Sequence, residues 1–228
     1  MKKAVLGRVY VWEIPVRFYH WLNFLAVLTL AVTGSMIARP LAIQNAAEAS
    51  HSYWFGTVRF IHFTSAYIFF FNFLFRIFWG FVGNRYARWD NFIIHRKRQV
   101  KEIADVLKID ILQSQEKPMD TVGHNSLAGL TYFLTFLAFL FQAMTGFGMY
   151  SAMSKGWLPR LFHWVVPLMG GDFAVRQWHH MTMWFFILFA IIHVYLVFYH
   201  DYVEGRGVLS SMGGGWKFIE KECKPDDV

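Results

Sequence analysis

The chain has 228 residues, with 22 Lys and Arg against 15 Asp and Glu, 56% hydrophobic and 20% aromatic residues, ten His and one Cys. Only 16% of residues are charged, where a soluble domain carries about 25%, and several apolar stretches exceed about 18 residues. This is the composition of an integral membrane protein. It excludes disordered, collagen-like and disulfide-rich scaffolds, and the lone Cys223 excludes an internal disulfide or a thiolate-held metal cluster.

From the N-terminus, Met1 to Arg17 carries scattered charges and Pro15 but no apolar signal-peptide core, so the first apolar run is expected to remain as a helix. Four spans are predicted over residues 21–37, 61–82, 127–150 and 181–198 of a single membrane domain. Each reaches roughly 27–36 Å at about 1.5 Å per residue, enough for the hydrocarbon core with some tilt. Residues 83–125 form a long loop in which Ile103, Val106, Leu107 and Ile111 predict a helix from Val100 to Leu112. Between the third and fourth spans, Trp157, Leu158, Leu161, Phe162, Trp164, Val165 and Val166 read as a short interfacial helix or as an ordered loop. Residues 201–228 are a polar tail. The expected fold is thus an all-α four-helix membrane bundle with a short interfacial helix on its outer face.

Orientation follows from Lys and Arg in the connections. The N-terminal arm, the 83–125 loop and the tail together hold 16 basic residues, against 5 on the other side. Both termini are therefore expected in the cytoplasm, and the pI near 9.5 reflects that membrane face. The basic residues flank spans and form no folded stripe, so nucleic acid is not an expected partner.

Ionisable residues inside spans are costly and so are functional candidates. His179 and His193 lie 14 residues apart in the fourth span. At about 100° per residue this is 40° short of four turns, so both share one face, about 21 Å apart along the axis. His180 is about 100° off that face. The same interval separates His20 from Gly34 and His62 from Arg76. Sorted by helix direction, His62, His179 and Gly34 fall in an outer layer, and His20, His193 and Arg76 in an inner one. Two depth-matched histidine pairs suit two six-coordinate haems b, each iron taking one imidazole nitrogen from either side. Gly34 would admit a flat macrocycle. Arg76 is suited to pairing with a propionate or to snorkelling toward headgroups, and Arg17 is a second propionate candidate. Zinc fits less well, because no carboxylate or thiolate completes a tetrahedral set.

These residues sit in familiar strings. Glu13-Ile-Pro15-Val16-Arg17-Phe-Tyr-His20-Trp21 runs on to Thr33-Gly34; Arg-Phe-Ile-His62 precedes Arg76-Ile-Phe-Trp79-Gly-Phe-Val-Gly83-Asn84-Arg85-Tyr86. Gly123-His124-Asn125 opens the third span, and the fourth carries Trp178-His179-His180-Met181, then Trp184 and His193-Val-Tyr195. From about Val11 to Tyr202 the chain resembles the b-type cytochrome subunits of membrane-bound nickel–iron (NiFe) hydrogenases, within the bacterial di-haem cytochrome b group. Gln177 departs from a usually small residue, and Gly129 stands where some relatives carry Gln.

The resemblance implies axial ligation by His20, His62, His179 and His193. It further implies that hydrogenase small and large subunits pass electrons through iron–sulfur clusters to the outer haem. The inner haem then reduces menaquinone or ubiquinone, with Asn125 among the quinone contacts. The chain would be an electron-transfer subunit of the bacterial inner membrane with no hydrogenase chemistry of its own. The alternatives are a haem anchor for a formate dehydrogenase-type complex, a free-standing quinone or superoxide oxidoreductase, and a proton-relaying transporter. The transporter predicts an internal repeat, and no convincing inverted repeat is visible.

Overall fold

A backbone in lipid has no water to bond, so its N–H and C=O groups must pair within the segment, and the apolar runs fold as helices. The computed structural model describes residues 6–41, 53–92, 97–106 and 126–220. In chain order these form β1 (Leu6–Tyr10), α1 (Ile14–Ala38), α2 (Trp54–Val82), α3 (Lys97–Val106), α4 (Ser126–Tyr150), α5 (Trp157–Arg160), α6 (Val165–Leu168), α7 (Asp172–Glu204), α8 (Val208–Gly214) and β2 (Trp216–Glu220). Among them α1, α2, α4 and α7 are long and apolar enough to cross a membrane. Their outward side chains are largely apolar: Phe60, Phe81, Ile191 and Phe198 are all exposed, as a lipid-facing surface requires.

Three of the long helices outrun the spans expected from hydropathy. α1, α2 and α7 begin before residues 21, 61 and 181, and α7 continues past 198. Hydropathy registers only the apolar middle, whereas helical bonding propagates into polar interfacial residues. Pro15 falls in the first turn of α1, where a missing N–H costs nothing, and Pro40 discourages continuation beyond Arg39. With 33 residues, α7 is about 50 Å long, more than the hydrocarbon thickness. In the 83–125 loop the helix is Lys97–Val106, earlier than the expected 100–112, and residues 107–125 lie outside the described ones.

The expected interfacial helix is two single turns, α5 and α6. Between them the N–H groups of Leu161, Phe162, His163 and Val165 reach carbonyls three residues back, at 3.0–3.2 Å. The segment therefore tightens to a 3₁₀-like path. Leu158 and Val165 are buried while Trp157, Leu161, Trp164 and Leu168 stay exposed.

The chain divides into two compact units, and each long helix contributes one end to each. The first unit comprises Met1–Tyr19, Phe75–Phe136 and Ile191–Val228. Here β1 pairs antiparallel with β2, from Leu6↔Glu220 to Tyr10↔Trp216, a small ribbon that hydropathy did not anticipate. Arg8 lies 4.2 Å over the Trp216 ring. The turn leading into β2 needs Gly215, which has φ +85° and whose Cβ position would lie 2.6 Å from the Trp12 carbonyl oxygen. The Gly215 carbonyl accepts from the N–H groups of Val11 and Trp12 (2.9 and 3.1 Å). Glu13 Oε2 accepts from Trp79 Nε1 (3.1 Å) and the Asn84 N–H (2.9 Å), while Asn84 Nδ2 donates to the Val11 carbonyl (2.9 Å). Val11, Trp12, Val16, Tyr86, Ala87 and Ile219 form the core beneath these bonds.

The second unit comprises His20–Leu74 and Leu137–Ala190. Phe70, Ala143, Phe147 and Leu158 form one core. A second is aromatic: the Phe139 ring stacks on Phe186 with centroids 4.7 Å apart and meets Phe69 edge-on at 5.0 Å.

The close approaches are testable in the first unit. A Cβ on Gly129 would lie 2.6 Å from the Asn91 carbonyl oxygen, a backbone atom, whereas one on Gly56 would meet nothing within 4 Å. Gly129→Ala is expected to cost roughly 1–3 kcal/mol, read as a lower thermal midpoint in detergent, with Gly56→Ala no less stable than the parent. Equal midpoints for the two variants would remove the steric argument.

Candidate functional site

In the second unit, α1 and α4 each present a Thr-Gly pair to a histidine on another helix. The Thr33 hydroxyl of α1 lies 2.8 Å from His62 Nδ1 of α2. The Thr145 hydroxyl of α4 lies 2.8 Å from His179 Nδ1 of α7. The following glycine backs the same ring in both cases: a Cβ on Gly34 would stand 3.3 Å from His62 Cε1, and one on Gly146 would stand 3.1 Å from His179 Cε1. Met183, one turn beyond His179, closes the Gly34 side, with its sulfur 3.6 Å from that same Cβ position. Its sulfur also receives the Ser35 hydroxyl at 3.8 Å. On the far side of the His179 ring, Gln142 Nε2 is 3.2 Å from His179 Nε2. His179 is within electrostatic range of His62, so four helix segments bring two imidazoles into one neighbourhood. His180 is engaged elsewhere, accepting from Trp184 Nε1 of its own helix at 3.2 Å.

In the first unit, Arg76 is only 2% exposed and does not reach out to solvent. The rings of Trp89, Phe92 and Tyr132 surround its guanidinium carbon at 5.4, 5.3 and 5.1 Å. Its Nη2 donates to the Ala87 carbonyl at 3.0 Å, while Nη1 is buried without an acceptor in bonding geometry. Arg17 donates to the carbonyl of Gly213. His20 packs edge-on against Trp21 at 5.1 Å, His193 is an exposed position of α7, and Asn125 lies outside the described residues.

Thr33, Thr145, Gln142, Gly146 and Met183 gained no role from sequence. One signal was available: the dipeptide Thr-Gly at 33–34 recurs 112 residues later, at 145–146. The signal is weak, because Thr and Gly are individually common in membrane helices.

Residues 11–215, covering both histidine-bearing units, match the family model described as prokaryotic cytochrome b561. The chain belongs to that family. Three relatives carry matching names. A protein of Azotobacter chroococcum is 39% identical over 96% of this chain and 91% of its own length, and one of Cupriavidus necator is 39% identical over 91% and 86%. Both are named "Probable Ni/Fe-hydrogenase B-type cytochrome subunit". An Escherichia coli K12 protein, "Probable Ni/Fe-hydrogenase 1 B-type cytochrome subunit", is 34% identical over 91% of this chain and 90% of its own. The resemblance read from the His20, His62 and His179 strings is thus borne out. As a cytochrome b561 with four membrane-length helices, the chain is a multi-pass b-type haem protein.

The aromatic enclosure of Arg76 makes a separate prediction. A desolvated cation–π contact is worth on the order of 2 kcal/mol. Arg76→Met is expected to lower the thermal midpoint in detergent by a corresponding amount. Arg76→Lys should recover only part, since an ammonium lacks the planar face. A full recovery by Lys would show that charge alone suffices.

Proposed function

We propose that this chain is the di-haem cytochrome b subunit that anchors a NiFe hydrogenase at the bacterial inner membrane and carries its electrons to the quinone pool. The observation that carries the reading is that His62 and His179, within electrostatic range of each other, each have Nδ1 2.8 Å from a threonine hydroxyl of another helix. The names of the relatives point to a Ni/Fe hydrogenase as the partner, and the resemblance implies contact through its small and large subunits.

The residues fit haem. Among the described residues there is no group of three or more His, Cys, Asp or Glu able to hold a metal ion directly. A porphyrin brings four nitrogens of its own and asks the protein for two, which is what His62 and His179 offer. Bound haem supplies a reversible one-electron iron couple. The protein's task is to hold the imidazoles, keep water away with side chains such as Phe69, Phe139 and Phe186, and supply a counter-charge. For the inner haem, Arg76, whose buried Nη1 has no acceptor in bonding geometry, is suited to a carboxylate.

The second haem is assigned to His20 and His193 by the helical count alone, with Arg17 as a further carboxylate partner. Gly34 contributes by leaving the His62 ring room against α1. Asn125 is assigned to the quinone, menaquinone or ubiquinone, by the resemblance. The basic excess, 16 residues against 5, favours cytoplasmic termini. The pairing of β1 with β2 sets residues 6–10 beside 216–220, which agrees with an even number of crossings between them.

A pyridine haemochrome assay on the purified chain, with co-purifying partners identified, tests the reading; two haems b per chain and bound hydrogenase subunits are expected. His62→Ala or His179→Ala should remove one haem and stop hydrogen-dependent reduction of the other. His20→Ala or His193→Ala should leave one haem reducible by hydrogen while abolishing quinone reduction. His180→Ala should retain both haems. A colourless preparation from haem-replete cells would end the proposal.

A further inference from the structure

Threonines in membrane helices commonly bond back to the carbonyl one turn earlier. Thr131 and Thr135 of α4 do so at 2.9 and 2.7 Å, and Thr182 of α7 at 2.9 Å. Thr33 and Thr145 make the same back-bond, to the carbonyls of Thr29 (2.6 Å) and Phe141 (2.8 Å). They differ in also touching a histidine Nδ1 at 2.8 Å.

That double engagement fixes the protons. A hydroxyl has one hydrogen, and a carbonyl oxygen can only accept, so the Thr hydrogen goes to the back-bond. The hydroxyl oxygen then has only lone pairs to offer the imidazole. The hydrogen in the Thr–His contact must be the histidine's own, donated from Nδ1–H. A neutral imidazole carries one N–H, so Nε2 is left with the lone pair. The surroundings of His179 agree: the Gln142 amide sits 3.2 Å from Nε2, in position to donate to its lone pair, and iron bound at Nε2 would take that lone pair in place of the amide. Thr145 is fully buried and Thr33 nearly so, which shields both bonds from water.

Resting on the haem reading above, we propose that Thr33 and Thr145 are positioning residues that hold His62 and His179 in the Nδ1–H form, aiming each Nε2 lone pair at the iron and setting its redox potential. A ligand imidazole that donates from its other nitrogen is a stronger electron donor to the metal. The hydrogen bonds therefore favour the oxidised iron and hold its potential down. The glycine after each threonine completes the device, because the Cε1 edge of the ring can lie against the helix only where no Cβ intervenes. One clamp comes from α1 and one from α4, so the two axial ligands are controlled independently and in the same way.

The test compares Thr33→Val, Thr145→Val and the two Ser variants in the purified holoprotein. It measures haem content, midpoint potentials and the low-spin electron paramagnetic resonance signal. Valine keeps the shape of threonine without the hydroxyl; serine keeps the hydroxyl. Each Val variant is expected to raise the potential of one haem and shift its g values while the other haem stays put, and the double Val variant to raise it further. Each Ser variant should restore the parent potential. Loss of one haem in a Val variant that its Ser variant retains would also support the hydroxyl's role. Full haem content with unchanged potentials and g values in both Val variants would overturn the inference while leaving the haem reading intact. Loss of haem in Val and Ser variants alike would also overturn it, since methyl packing would then be what matters. A parent chain without haem would instead overturn the reading beneath it.

Discussion

The hydrogen bond from a histidine ring to a threonine hydroxyl is the interaction on which the second unit depends. In an apolar interior an unmet imidazole N–H is expensive, and a met one is stronger than in water. Each bond therefore ties one helix to another, α1 to α2 and α4 to α7, at a defined height and rotation. The neighbouring contacts follow from it. Once Nδ1 is anchored on Thr33 or Thr145, the ring edge falls on the next residue, and a side chain there would push it away. Ring orientation is thus set from outside the helix that carries the histidine.

The first unit solves a different problem, that of keeping a cation out of water. Arg76 is held by three aromatic faces and one carbonyl rather than by a carboxylate. The carbonyl belongs to Ala87, and its position is fixed by Asn84, whose Oδ1 receives the N–H groups of Tyr86 and Ala87 at 3.1 Å. Asn84 is fixed in turn by Glu13 and the Val11 carbonyl. The Glu13-to-Arg17 and Gly83-to-Tyr86 strings are therefore parts of one hydrogen-bonded frame, although they belong to different ends of different helices.

What could be read from the sequence is what helical periodicity and hydropathy encode. Four apolar runs gave four helices, and the 14-residue interval singled out His62 and His179 as the histidines of interest in their helices without any coordinates. The same logic cannot say which helix a ring will meet, because that depends on packing between segments distant in the chain. The contacts of Thr33 and Thr145 with histidines are not legible in sequence for that reason: a threonine in a membrane helix has an ordinary explanation in its own back-bond. Arg76 carried two readings, snorkelling or burial, and only its surroundings separate them. The ribbon was invisible because each strand has five residues and its partner lies at the opposite end of the sequence. The split of α5 from α6 arises in 3₁₀-like bonding around prolines, to which a hydrophobic pattern is blind.

That ribbon bears on how the molecule is made. Residue 6 waits for residue 220, so while the ribosome is still threading helices into the bilayer, the first strand has no mate. The first unit is knitted by contacts some two hundred residues apart in sequence, such as that of Trp12 with Ser211, 199 residues away, the kind that form slowly. Its closure falls after residue 220 has been made, when all four long helices already exist. Assembly of this unit therefore waits until β2 has followed the four long helices out of the ribosome, much as a clasp fastens only once its far half has been drawn through.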